Sequence, residues 1–380
     1  MDFTIKKENL LGCISKCEQE ADPKHVTAAF RVMRVITGKK GQVKFASVGE
    51  FCSVDTVAIS DEIKEQGSFN VAPQRLRDIV NGMPDGKIRI SMKGTRVTVS
   101  SGKRRANFEN NTVDAYTIDD PGKNAQWLEM ESRKLVAALK RVRGSAQWID
   151  DTSKPTVMIL IPTEAGLQAY GCTGYTLTIV DTNMRVDCER MKVPSKAADL
   201  LALMSEDDDK VRVIYTDSRI YLENCDTLVS AMVPEYGAMA QVDLILDMIR
   251  DTSHPRGPSF NVSKMRTGLK SVLAATGFAS SNDKGSRGYQ VRLHLGRNEI
   301  SMRLNLSEAD ATDEFDPTQG PDDDAIQDLD VLVSSTLFDK VLSSLDGTDE
   351  VQSLLMSHGM MITFRSGGII SGFMTESELK

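Results

Sequence analysis

The sequence is poor in the residues that metal and thiol chemistry need. Its 380 residues hold four histidines and six cysteines. His25, His254, His294 and His358 stand far apart in the chain. Cys13, Cys17, Cys52, Cys172, Cys188 and Cys225 form no Cys-x-x-Cys pair. No zinc-ligand spacing results, so neither a metal site nor a disulfide framework is expected, and the cysteines read as buried reduced thiols. No stretch of about 18 apolar residues occurs, which argues against a membrane-spanning helix. The opening MDFTIKKENLL lacks the apolar core of a secretion signal, so a cytoplasmic protein is the expectation. No Gly-x-x-x-x-Gly-Lys-Ser/Thr stretch is present, and ATP hydrolysis is not expected. Aromatic residues make up 6% of the chain and form no ladder beside its cations, so stacking of single-stranded nucleic acid is not indicated.

What is present suits a soluble globular protein of two or three domains, with 40% hydrophobic and 26% charged residues. The formal net charge of −8 argues on its face against nucleic acid. A sum says nothing about distribution, however, and an acidic outside with a basic inside gives the same value.

Long-period self-similarity organises the chain. Phe3-Thr4-Ile5 leads into a helical pattern with Leu10, Leu11 and Ile14. Leu128-Glu129-Met130 leads into Leu135, Val136 and Leu139, and Phe260-Asn261-Val262 into Met265, Leu269, Val272 and Leu273. A second series alternates with the first: Phe69 to Gln74, Met191 to Lys196, and Val331 to Ser335, each followed by helical spacing, a turn and alternating strands. The pattern predicts six β-α-β-β-β units paired into three domains, over 1–124, 125–252 and 253–380, in an α+β fold. The segment 306–330 carries many acidic residues and two prolines, and it reads as a solvated surface loop. It lacks the Gly and Glu positions of an EF-hand.

These residues resemble the bacterial DNA polymerase III β subunit, the sliding clamp. The matching pieces are Met1 to Ile5 with Leu10-Leu11, Val71-Ala72-Pro73 through Asp78-Ile79 to Gly86, and the basic hairpin Ser101-Gly102-Lys103-Arg104-Arg105. Val193 to Lys196, Pro234-Glu235-Tyr236, and Ser281 to Lys284 with Arg287-Gly288 are similar to landmarks further along. The resemblance implies a DNA clamp fold of three similar domains, closing head to tail as a homodimeric ring around duplex DNA. It implies a non-enzymatic processivity factor, associated with the nucleoid, without cofactor or metal. Its expected partners are double-stranded DNA, a DNA polymerase, the clamp loader complex and other proteins bearing a clamp-binding motif. The alternative is a clamp-fold scaffold of a phage or plasmid that recruits repair proteins.

The ring implies cations on the helices and loops that face DNA: Lys24, Arg75, Arg77, Lys103, Arg104, Arg105, Arg141, Arg143, Lys154, Lys196, Lys264, Lys284 and Arg287, with Lys134, Lys140, Arg266 and Lys270 in the same helices. Phosphate contact without base readout gives weak, salt-sensitive, sequence-neutral binding, as a sliding ring requires. The subunit boundary is expected at sheet edges, around Lys103 to Phe108 and within Val262 to Arg303.

In the family, partners dock as short peptides beside a Thr-Asp-Gly-His-Arg-Leu stretch. The matching stretch here is Cys172-Thr173-Gly174-Tyr175-Thr176-Leu177, with Val157, Pro234, Met239, Phe373 and Met374 as further walls. Tyr175-Thr176 in place of His-Arg removes a basic edge and adds an aromatic one. Cys172 has no histidine near it in sequence, and a glycine in the following turn supports a tight bend between strands rather than a nucleophile elbow.

Overall fold

The computed structural model describes residues 1–113, 121–122, 125–148, 154–173, 175–207, 209–235, 256–278, 288–307, 309–321, 328–347, 350–355 and 361–374. Six strand–helix–three-strand repeats follow one another. The first has β1 (Asp2–Lys6), α1 (Lys7–Glu18), β2 (Met33–Thr37), β3 (Gln42–Val48) and β4 (Cys52–Ile59), with a short β5 (Glu62–Glu65) appended. The second has β6 (Ser68–Val71), α2 (Pro73–Asn81), β7 (Lys87–Lys93), β8 (Arg96–Ser101) and β9 (Arg104–Glu109). In the third come β10 (Leu128–Glu131), α3 (Ser132–Ala146), β11 (Val157–Thr163), β12 (Gly166–Cys172) and β13 (Thr176–Met184). In the fourth come β14 (Met191–Pro194), α4 (Ser195–Asp207), β15 (Lys210–Tyr215), β16 (Arg219–Glu223) and β17 (Thr227–Met232). The fifth contains β18 (Arg256–Asn261), α5 (Val262–Leu273), β19 (Gln290–Leu295), β20 (Ile300–Asn305) and β21 (Asp310–Phe315). The sixth contains β22 (Leu329–Ser334), α6 (Ser335–Ser344), β23 (Glu350–Leu355), β24 (Met361–Ser366) and β25 (Ile369–Met374).

Local chemistry explains where the helices start. Pro73 opens α2, where its missing N–H costs nothing. The Asn261 side chain accepts the Lys264 N–H at 3.0 Å and caps α5. Ser334 does the same for Leu337 at the start of α6, at 3.3 Å. Strands alternate as half-buried sheets require: in β2, Met33, Val35 and Thr37 point inward while Arg34 and Ile36 are half-buried.

The chain forms two compact units. Residues 1–136 with 196–233 make the first, and 137–195 with 234–380 the second. Unit 1 holds a five-stranded sheet, β5-β1-β7-β8-β9, and an eight-stranded sheet, β10-β15-β16-β17-β4-β3-β2-β6. Unit 2 holds an eight-stranded sheet, β14-β11-β12-β13-β25-β24-β23-β18, and a four-stranded sheet, β21-β20-β19-β22. Each eight-stranded sheet thus draws four strands from each of two successive thirds of the chain. The core of unit 1 lies under α1 and α2, on Phe3, Leu10, Ile14, Phe45, Phe69 and Leu76, all buried. In unit 2, Phe260 packs edge-on against Phe364, and Phe338 against Phe373, each pair 5.3 Å between ring centroids.

The acidic segment 306–330 is not a loop throughout. Its residues 310–315 form β21, hydrogen-bonded along β20 from Asn305↔Asp310 to Ile300↔Phe315. Ala311 and Phe315 pack against the unit 2 core, while Asp310, Thr312 and Glu314 are exposed. The strand has period-two burial, but acidic residues dilute its apolar signal. It also moves the sheet edges: among the described residues they are β21 and β22, both outside the expected 262–303 range, while β19 and β20 are flanked on both sides.

Candidate functional site

The stretch that carries Cys172 is the turn between β12 and β13, in unit 2. Cys172 pairs with Leu177, and the Thr173 N–H donates to the Thr176 carbonyl at 3.0 Å, closing the turn. The Thr173 hydroxyl reinforces it, accepting the Thr176 N–H at 3.3 Å and lying 3.1 Å from the Thr176 hydroxyl. This is the local hydroxyl-to-backbone bonding that favours turns. β13 then pairs with β25, Thr176 opposite Phe373 and Leu177 opposite Gly372. That seam joins strands nearly 200 residues apart in sequence.

Val157 begins β11, whose Ile159 faces Tyr170 of β12, so Val157 and Cys172 occupy the same end of neighbouring strands. Val157, Cys172, Thr173, Leu177 and Phe373 therefore gather at one end of the sheet, all buried. Tyr175 is half-buried and packs against the core of unit 2. Pro234 is half-buried, and its carbonyl accepts from Lys192 of β14, the outermost strand, at 3.2 Å. It stands at the sheet's far edge from Phe373. Met374 ends β25 with its backbone opposite Met361. Gly174 and Met239 lie outside the described residues, as does the Met374 side chain.

Cys172 is no nucleophile in this setting. Burial pushes its thiol up to about 12, and the sulfur donates to the Thr173 carbonyl at 3.1 Å. A buried, protonated thiol is a wall. Among the described residues, no group of three or more His, Cys, Asp or Glu side chains is placed to hold a metal ion.

Sequence reasoning missed what lies behind the turn. The Thr176 hydroxyl donates to the Ser145 carbonyl of α3 at 3.1 Å. The Ser145 hydroxyl meets Thr178 at 2.7 Å, Thr178 meets Ser371 of β25 at 2.8 Å, and Ser344 of α6 donates to Ser371 at 2.8 Å. All four are buried, so each hydroxyl satisfies its neighbour where water is absent. The signal in sequence is slight: single Ser and Thr residues at apolar positions of strand and helix patterns.

The cations divide into exposed and engaged groups. Lys24, Arg75, Lys103, Arg105, Arg143, Lys154 and Lys264 are exposed. Arg75 stacks over Phe108 with its guanidinium 5.7 Å from the ring centroid, and Lys154 over Trp148 at 4.4 Å. Arg77 is held by Glu18 at 2.5 Å. Arg104 donates to the Gly82 carbonyl at 2.6 Å, Arg141 to the Ser344 carbonyl at 3.2 Å, and Lys196 to the Gln19 carbonyl at 3.1 Å. The last two cap helix C-termini, where orphan carbonyls favour a cation. Lys284 and Arg287 lie outside the described residues.

The most uniform basic face belongs to α3. Its exposed side chains are Arg133, Lys134, Ala137, Lys140 and Arg143, with no carboxylate among them. Arg133 was not singled out by sequence. On α1 the exposed positions include Glu8, and on α6 Asp339.

Six strand–helix–three-strand repeats, with eight-stranded sheets shared between successive thirds of the chain, are a fold that can be compared with known structures. Residues 1–119 match the family of the DNA polymerase III beta subunit, N-terminal domain. The DNA polymerase III subunit beta of Pseudomonas aeruginosa superposes with a TM-score of 0.81 at 15% identity, covering 99% of each chain. The beta subunit of Streptococcus pyogenes gives 0.82 at 15%, again over 99% of each chain. The Helicobacter pylori beta clamp bound to a DNA ligase peptide gives 0.72 at 13%, over 99% of each chain. No curated protein matches the chain in sequence. Over its whole length the chain thus has the fold of the bacterial sliding clamps, and the family match lies in its first 119 residues.

Proposed function

We propose that the chain is a processivity clamp: a three-domain subunit that closes as a homodimeric ring on duplex DNA and tethers a DNA polymerase. The observation that carries this reading is the complete set of six repeats with the basic face of α3. Cations spread along a helix bind phosphates without reading bases, and such contacts slide. Topology then holds the ring on DNA, and no catalytic group is required of it.

Two of the edge strands among the described residues, β9 and β21, support closure. β9 carries exposed Arg104 and Arg105, and β21 carries exposed Asp310 and Glu314. Pairing β9 of one copy with β21 of another would cover both edges and set opposite charges across the join. The turn at Tyr175 is the proposed dock for partner peptides; that a clamp of this fold binds a peptide at all is supported by the H. pylori clamp bound to a DNA ligase peptide. Clamp loader and repair proteins are partners of the same kind.

The test is retention on DNA. The clamp is loaded onto nicked circular duplex, and half the sample is then cut once. Retention on the circle with release from the linear form is expected. Equal loss from both would move the chain to a scaffold that does not encircle DNA.

A further inference from the structure

The turn before the last strand of each repeat puts those strands on a common count. In the first, third and fifth repeats one backbone bond closes the turn: the Gly49 N–H to the Cys52 carbonyl at 2.8 Å, Thr173 to Thr176 at 3.0 Å, and Leu306 to Ala309 at 2.8 Å. Cys52, Thr176 and Ala309 are therefore equivalent positions. In the second, fourth and sixth repeats, Ser101 faces Arg104, the Asn224 N–H donates to the Thr227 carbonyl at 3.0 Å, and Ser366 faces Ile369. Arg104, Thr227 and Ile369 are equivalent in the same way.

The two seams within the chain share one register on this count. In unit 1, Cys52 of β4 faces Ala231 of β17, four residues past Thr227. In unit 2, Thr176 of β13 faces Phe373 of β25, four residues past Ile369. The agreement runs to the far end of each seam. The Val57 N–H donates to the Asp226 carbonyl and the Asp181 N–H to the Gly368 carbonyl, each at 2.8 Å and each at the same step.

The last strands of the second and fifth repeats, β9 and β21, are sheet edges among the described residues. On the shared register Ala309 would face Phe108, Ala311 would face Ala106, Asp313 would face Arg104 and Glu314 would face Lys103. Burial plays no part in the count, and it agrees. Ala311, Asp313 and Phe315 are the inward side chains of β21, and Ala106 and Phe108 those of β9, so both sets fall on one face. A slip of one residue would set Ala106 against exposed Asp310 or Thr312 and turn every side chain to the wrong face. Slips of two residues keep the faces, and the register common to both seams excludes them. The same register also sets Glu109 against Glu308, a like-charged pair, and Glu308 lies outside the described residues.

We propose that β9 of one copy pairs antiparallel with β21 of a second in the register of the chain's own two seams, Arg104 against the partner subunit's Asp313 and Lys103 against the partner subunit's Glu314. That two copies meet here rests on the reading of the chain as a ring. The register does not, because it comes from seams inside one chain. At the position of Arg104 and Asp313, unit 1 holds the hydroxyl pair Thr56 and Thr227, 2.9 Å apart, and unit 2 holds Val180 and Ile369. The seam between copies thus replaces a neutral pair by an ion pair.

The experiment uses the full chain with exposed Cys225 changed to Ser. Ala106→Cys and Ala311→Cys are combined in one chain, so that both joins of a ring can close. Their pair falls at a non-hydrogen-bonded step, where Cα atoms stand about 4.5 Å apart, within disulfide reach. Oxidation with copper phenanthroline is read on a non-reducing gel, and linked peptides are identified by mass spectrometry. A covalent dimer linked between positions 106 and 311 is expected. Ala106→Cys with Asp313→Cys, and Ala106→Cys with Ala309→Cys, represent the slips of two residues and should link at least roughly tenfold less. Preferential linking of a slipped pair, or a dimer by light scattering that links in none of the three, would overturn the register and leave the ring standing. A monomer at every concentration would remove the ring and the register together. Arg104→Asp or Asp313→Arg alone should weaken the dimer at least roughly tenfold, and the two combined should restore it. Chains that melt as the parent does but stay weakened in the combined variant would also overturn the pairing.

Discussion

The two eight-stranded sheets share a strand order and a register, yet they anchor their helices by different chemistry. In unit 1 the anchor is a charge. Lys16 of α1 is 5% exposed and reaches Asp226 at 3.3 Å and the Thr227 hydroxyl at 3.1 Å, while Thr227 also meets Thr56 at 2.9 Å. In unit 2 the anchor is neutral, the hydroxyl chain Ser145, Thr178, Ser371 and Ser344. A second contrast lies two residues before each turn. Gly171 of β12 stands where β3 has Ser47. Any Cβ at Gly171 would collide with the Val142 carbonyl of α3, so α3 lies too close to its sheet for a side chain there. Repeated backbone plans evidently fix pairing, while each interior solves its polar and steric demands locally.

The largest effect expected follows from that close approach. Gly171→Ala should cost roughly 3 kcal/mol or more, since backbone must move. Ser47→Ala, its counterpart, removes a buried hydroxyl that lies beside the Cys17 thiol and makes no well-formed hydrogen bond among the described residues. It should therefore be nearly neutral or slightly stabilising. Denaturant melts of the two variants side by side measure this, and equal costs would break the comparison. Next is the buried charge. Asp226→Ala leaves Lys16 without its carboxylate and should cost about 3 kcal/mol, whereas Lys16→Met removes the charge itself and should cost less than about 1 kcal/mol.

Glu20 gives a third, pH-dependent contrast confined to unit 1. It is 7% exposed, and burial pushes its carboxyl up to about 7, against the pull of Lys196. The unfolded chain releases this proton near the ordinary 4.5 and the folded chain only near 7. Stability from the protonated carboxyl is thus full below pH 4.5 and is lost as pH rises to 7. The loss should be roughly 3 kcal/mol between those limits, and Glu20→Gln should flatten it. Melting temperatures of both proteins across that range decide the point. The smallest effect is in the hydroxyl chain. Ser371→Ala leaves Thr178 and Ser344 each one partner short and should cost about 1–2 kcal/mol, with no pH dependence.

Much of the fold was legible because alternation and helical spacing are properties of single segments. Phe3-Thr4-Ile5 into Leu10 and Ile14, or Phe260 into Met265 and Leu269, announce strand and helix without knowledge of partners. β21 escaped because its inward residues are only Ala311, Asp313 and Phe315, so acidity hid the period. The site was less legible. Tyr175 and its turn stand out by composition, but the engagement of Arg77, Arg141 and Lys196 depends on residues 59, 203 and 177 positions away. Arg104 and Asp313 read as two unrelated surface charges until two registers are laid over each other.

The most direct test of the clamp reading is molar mass in solution, by light scattering behind a sizing column through a dilution series. The account predicts twice the chain's 41.8 kDa, steady on dilution, and lost when Arg104 and Arg105 are both changed to Glu. A monomer at every concentration would contradict it.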